Sequence, residues 1–154
     1  QRVRRQRQMC IRDRTKIFNY FQILILSIVI QNGAYAITAS DEEEIISVVS
    51  AQLQAFQDDD FEKAYSYASP TIKTIFSDYK KFRDMVVGQY QAVYRPKSIN
   101  FGNVTTQGGT TFLEVYLVDP DGIFVTAIYT MQQQEDDSWL INGCFLNQAK
   151  SDQI

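Results

Sequence analysis

Glu114, Tyr129, Asn142 and Cys144 are the residues of this sequence whose types could act together on a small molecule. A carboxylate held in an apolar pocket has its pKa raised by desolvation and can serve as a general base. Tyr129 or Asn142 would then donate to a developing oxyanion. A plainer reading makes Glu114 a solvent-facing acid, Tyr129 a core residue bonded to backbone and Cys144 a small buried hydrophobe. Histidine is absent, which excludes His-based general bases, Ser-His-Asp and Cys-His nucleophiles and His-ligated metals. No phosphate loop, nucleophile elbow or metal-ligand spacing is present, so neither a cofactor nor a metal is expected.

Other clusters have simple structural explanations. Among the nine tyrosines, Tyr65, Tyr90 and Tyr94 are the candidates for a pocket wall; packing accounts for most of the rest. Asp119-x-Asp121-Gly122 resembles the start of a calcium loop, but the later ligands of such a loop do not follow, so it reads as a turn. Asp58-Asp59-Asp60 reads as helix capping in preference to a weak cation site. Lys80, Lys81, Arg83, Arg95 and Lys97 form a basic patch that is either a solvated face or a contact for an acidic partner or anionic lipid.

The elements that must position these groups follow from periodicity. Ser40-Asp41-Glu42-Glu43 has the form of a capping box. After it, Ile45, Val48, Val49, Leu53 and Phe56 make one stripe of an amphipathic helix. A short helix carries Phe61, Ala64, Tyr65 and Ala68. Ser69-Pro70 breaks the chain with Pro at a helix N1 position, and Ser77-Asp78 starts a helix with Phe82, Met85, Val86 and Tyr90. Strands follow over 98–104, 110–118, 123–132 and 138–146, joined by Gln107-Gly108-Gly109, Asp119-Pro120-Asp121-Gly122 and Glu135-Asp136-Asp137. Helices segregated from an antiparallel meander make an α+β domain.

Ladder arithmetic gives an expected face for each candidate. If Val118 pairs with Ile123 and Gln133 with Ser138, Glu114, Ala127 and Cys144 stand abreast, with Phe112, Tyr129 and Asn142 in the next row. The other face then carries Leu113, Val115, Leu117, Phe124, Ile128, Trp139, Ile141 and Phe145. A one-residue bulge would flip every later residue to the opposite face.

The order of these elements resembles the nuclear-transport-factor-2-like cone, the fold shared with ketosteroid isomerase. More closely, Ala55-Phe56-Gln57-x-x-Asp60, Ala64-Tyr65, Phe82, Met85 and Ser138-Trp139-x-Ile141-x-Gly143-Cys144 resemble an uncharacterised bacterial family, domain of unknown function 4864. The resemblance covers about Asp41 to Leu146 and implies N-terminal helices on a curved four-stranded meander. It also implies a pocket on the concave side and often a dimer surface on the convex side. It implies no activity, and the isomerase's base and oxyanion donors have no matching positions here.

The N-terminal part reads differently. Residues 4–13 resemble a one-frame translation of a widely used sequencing adapter, so 1–14 are set aside; the alternative is a basic tail. Residues 15–36 have the parts of a signal peptide: Lys16, an apolar run over 17–30, and the small-x-small site Ala34-Tyr35-Ala36. Cleavage after Ala36 would leave a single domain over 37–154, exported to a periplasm or secreted; an uncleaved anchor is the alternative. With Cys10 set aside, Cys144 has no partner for an internal disulfide. From Ile37 onward eight basic residues face seventeen acids, a balance of −9, which excludes nucleic acid as the main partner. The chain is 45% apolar and 21% charged, as one globular domain would be.

These observations favour a non-enzymatic module that binds a small apolar ligand or docks on an envelope protein, and that forms a homodimer through its sheet. The alternative is a small lyase or isomerase acting on an apolar ligand, with Glu114 as its base.

Overall fold

The computed structural model describes residues 37–148. The adapter-like segment, the signal peptide with its cleavage site, and Cys10 lie outside the described residues. Among the described residues five helices precede four strands: α1 (Ala39–Gln57), α2 (Phe61–Ser66), α3 (Pro70–Ile75), α4 (Tyr79–Gln89), α5 (Gln91–Tyr94), β1 (Ser98–Gln107), β2 (Thr110–Val118), β3 (Phe124–Gln133) and β4 (Trp139–Gln148). The strands form one open antiparallel sheet in sequence order. The architecture is α+β. No described helix is long and apolar enough to cross a membrane.

Helix α1 starts two residues earlier than its sequence suggests. Thr38, not Ser40, is the N-cap: its hydroxyl accepts from the Asp41 N–H at 3.2 Å while Asp41 accepts from the Thr38 N–H at 2.9 Å. Thr-x-x-Asp closes this box two residues upstream of Ser-x-x-Glu, and Ser40 lies inside the helix. Asp41 also accepts from the indole Nε1 of Trp139 at 3.1 Å, and Glu44 from the Trp139 backbone N–H at 3.1 Å. Asp41 and Glu44 therefore tie the start of α1 to the start of β4.

The stripe beyond it does what its spacing requires. Ile45, Val49, Leu53 and Phe56 are buried against Leu113, Val115, Leu117, Ala127 and Tyr129 of the sheet. The triple aspartate is divided among structural roles. Asp60 caps α2 by accepting from the Lys63 N–H, Asp58 accepts from Gln54, and Asp59 takes up the left-handed backbone (φ 59°). Asp59 accepts two bonds from Arg95 Nη2 at 2.7 Å and one from the Tyr94 hydroxyl at 2.6 Å, joining the end of α1 to the end of α5. Ser69 caps α3, with Pro70 at its first turn, as expected.

Both central hairpins differ from the expected register by one residue, and for the same reason. Each has a three-residue loop closed on its first flanking pair: Asp119 with Ile123, and Gln134 with Ser138. The third loop residue, Gly122 (φ 89°) or Asp137 (φ 66°), adopts the left-handed conformation such loops use. Asp119 Oδ1 fixes the first loop by accepting from the Asp121 and Ile123 N–H groups. Val118 consequently pairs with Phe124, Glu114 with Ile128, and Leu113 with Tyr129. Leu113, Val115, Leu117, Trp139 and Ile141 share one face as expected, and that face packs on the helices; Phe124, Ile128 and Phe145, expected on the same face, belong to the opposite one.

A bulge in β4 then resets the second ladder. Met131 pairs with Ile141 but Thr130 pairs with Gly143, so Asn142 is the extra residue. Ile141 and Cys144 both turn toward the helices, with Asn142 between them. Gly143 fits here because an added Cβ would lie 2.9 Å from the Thr130 Oγ1. Beside the bulge, residues 67–69 run along the outer edge of β4. The Ile141 N–H donates to the Tyr67 carbonyl at 2.9 Å and the Ser69 N–H to the Ile141 carbonyl at 2.8 Å. This covers an edge that would otherwise be open.

Candidate functional site

Between α1, the α3–α4 pair and the bulged part of β4 lies a cavity of about 430 Å³, within the usual size for small-molecule sites. Gln52 and Phe56 of α1 form one side. Ile72 and Phe76, from α3 and its cap, stand against Phe82, Met85 and Val86 of α4. The sheet side is Tyr129, Ile141, Asn142, Gly143 and Cys144. The apolar wall is built on packed aromatics: the Phe82 ring lies 6.0 Å from Phe56, 5.8 Å from Phe76 and 5.5 Å from Tyr65.

The polar groups at the cavity are each held by a named neighbour or left without one. Gln52 is buried and donates through Nε2 to the Ala64 carbonyl at 3.1 Å. Asn142 accepts at Oδ1 from the buried Ser69 hydroxyl at 2.8 Å. Tyr90 donates to the Cys144 carbonyl at 3.2 Å, which anchors the α4–α5 junction on β4. Tyr129 is 1% exposed, and its hydroxyl has no hydrogen-bond partner.

Burial governs the titration of these groups. It raises the Tyr129 phenol well above its ordinary value, with the adjacent Cys144 adding to the effect. Burial likewise pushes the Cys144 thiol up to about 12, partly opposed by Tyr129, so the thiol is not a ready nucleophile. Tyr90 is raised by burial and then by Cys144.

The structure gathers Tyr90, Tyr129, Asn142 and Cys144 around one cavity and leaves out the other three candidates. Tyr65 stands behind the wall, its hydroxyl donating to the Phe76 carbonyl. Tyr94 is occupied by Asp59, with the Arg95 guanidinium 4.4 Å above its ring. Glu114 lies on the far face of the sheet, where it accepts from the Tyr116 hydroxyl at 2.8 Å. The corrected register is the cause: Glu114 stands beside Ile128 and Phe145, not beside Cys144. Among the described lining residues no carboxylate enters the cavity. Gln52 and Gln89 also line it, and no spacing in the sequence marked them.

The basic patch is partly neutralised. Arg95 pairs with Asp59 and Arg83 with its neighbour Asp84, each at 2.7 Å. Among the described residues no group of three or more acids and cysteines is placed to hold a metal.

The element order, the Ser69 contact with the bulged strand and the Trp139-x-Ile141-x-Gly143-Cys144 segment together form one unit, and a family model covers all of it. The model for a domain of unknown function, DUF4864, matches residues 38–154. The chain belongs to the DUF4864 family. The match takes in every element of this DUF4864 domain, cavity included. No curated protein matches the chain.

Proposed function

We propose that this DUF4864 chain is an exported, non-enzymatic module that binds a small apolar ligand in the cavity between α1, α4 and β4. The observation that carries this reading is a 430 Å³ cavity walled by Phe56, Phe82, Met85, Val86 and Ile141, with few polar groups. Concave, mostly apolar sites with a few placed polar atoms are the usual form of a ligand pocket. The lyase or isomerase alternative needs a base, and Glu114 is on the wrong face for it. The order of helices and strands supports a nuclear-transport-factor-2-like cone, and the apolar run over 17–30 with Ala34-Tyr35-Ala36 supports export. Native mass spectrometry of protein recovered from an exporting host tests the binding reading. A co-purified small molecule, or saturable uptake of an added apolar dye, is the expected result. An empty protein that takes up no dye overturns it.

A second reading rests on the outward face of the sheet. Phe124 is 71% exposed, Phe145 63% and Tyr116 45%. Cross-strand pairing puts them on one face of the sheet with Ile128, where Glu114 is a charged residue. Three such rings offer roughly 350 Å² per copy. Doubled and bordered by its neighbours, the patch approaches the ~1,000 Å² of a specific interface. The proposed occupant is a second copy of the chain, and sedimentation equilibrium would show a dimer that Phe145→Glu dissociates. A monomer at all concentrations would leave the patch for another envelope protein.

A further inference from the structure

The chemistry of the cavity wall selects among ligands, a step that rests on the cavity being a ligand site. None of the lining side chains is Lys, Arg, Asp or Glu. An ion drawn inside would give up its water and find no counter-charge.

The polar atoms on the wall have a definite sense. Ser69 Oγ accepts from the Ile72 N–H at 3.3 Å and places its own proton on Asn142 Oδ1. The Asn142 carboxamide is thereby oriented, and its Nδ2 is left as a donor with no partner among the described residues. The neighbouring Tyr129 hydroxyl is a second group without a partner. Asn142 owes this position to the bulge: it is the residue of β4 with no opposite number on β3.

We propose that the cavity is selective for an uncharged apolar molecule bearing one carbonyl oxygen, received by the Asn142 side-chain N–H. A body of about a dozen non-hydrogen atoms suits the volume.

The test uses protein recovered from an exporting host and three probes with the same eleven-carbon chain: 2-undecanone, undecanoate and undecylammonium. Each is titrated at neutral pH against bound N-phenyl-1-naphthylamine, an uncharged apolar dye. The ketone is expected to displace the dye at about ten-fold lower concentration than either ion. Asn142→Ala is expected to weaken the ketone about five-fold, the size of one hydrogen bond, when ketone affinity is read against the dye affinity of the same variant. Met85→Lys, which sets an ammonium at the wall, is expected to reverse the preference in favour of undecanoate. Either ion binding the unaltered protein as tightly as the ketone overturns the selectivity while the cavity stands as a ligand site. Ketone affinity unmoved in a folded Asn142→Ala overturns Asn142 as the receiving group. Failure of every probe, dye included, overturns the ligand site itself. The three-probe comparison needs no variant, so it decides even if Asn142→Ala does not fold.

Discussion

Tyr129 on β3 and Cys144 on β4 are direct cross-strand partners, and both turn inward to the same cavity. The pair places a buried phenol without a hydrogen-bond partner beside a buried thiol whose proton is held tightly. Each group shapes stability in a measurable way.

Tyr129→Phe removes a buried hydroxyl and leaves the ring in place. A buried polar group without a partner costs about 1–3 kcal/mol. The variant is therefore expected to be more stable by about 1 kcal/mol in urea unfolding. A loss of similar size would instead mean that the hydroxyl is satisfied in solution, by water or by a ligand.

Cys144 gives the pH dependence. Its pKa rises from an ordinary 9.0 to about 12 on folding, because burial disfavours the thiolate. Below the lower value both states hold the proton and the contribution is complete. Above it the unfolded chain releases the proton first, so stability falls between about pH 9 and 12, by up to ~1.4 kcal/mol per pH unit. Cys144→Ala should flatten that slope relative to the parent. A chromogenic disulfide reagent at mildly alkaline pH should label Cys144 only after unfolding.

The N-terminus of α1 offers a direct comparison. Thr38→Ala removes the observed cap and should cost about 1 kcal/mol, whereas Ser40→Ala, inside the helix, should be close to neutral. Paired thermal melts measure both. The reverse ranking would place the helix start at Ser40, where the Ser-x-x-Glu pattern pointed.

That comparison shows how legible the chain was. The stripe Ile45, Val49, Leu53 and Phe56, the Ser69-Pro70 break and the three turns were readable because local periodicity and turn residues determine them. Four of the seven candidate residues, Tyr90, Tyr129, Asn142 and Cys144, do meet at one cavity. Register was not readable from composition alone, because an Asp119–Ile123 closure and a Val118–Ile123 closure differ by one residue. That single residue carries Glu114 to the other face. The bulge at Asn142 leaves no mark in the sequence beyond the following Gly143. Gln52 escaped notice because a polar residue within an amphipathic stripe reads as its border.

The cavity predicts the effect of filling it. Ile72 is half-buried on α3 and faces the space bounded by Met85 and Ile141. Ile72→Trp would occupy volume that is now open, so little packing strain follows. Dye affinity is expected to fall by at least about ten-fold, with the melting temperature within a few degrees of the parent. Undiminished dye binding in the folded variant would place the ligand elsewhere.

Glu114 separates the two sheet faces functionally. Its carboxylate accepts from Tyr116 within the exposed aromatic patch, on the side of the sheet away from the cavity. Glu114→Gln keeps the size of the side chain and most of that contact, and removes one charge from each copy of a face proposed to meet itself. Like charges brought together at a twofold contact repel, so the variant is expected to dimerise more tightly by sedimentation equilibrium. Dye affinity in the cavity should not change, since Glu114 is not among the residues that line it. A drop in dye affinity with unaltered dimerisation would return Glu114 to the ligand site and put the register of β2 against β3 in question.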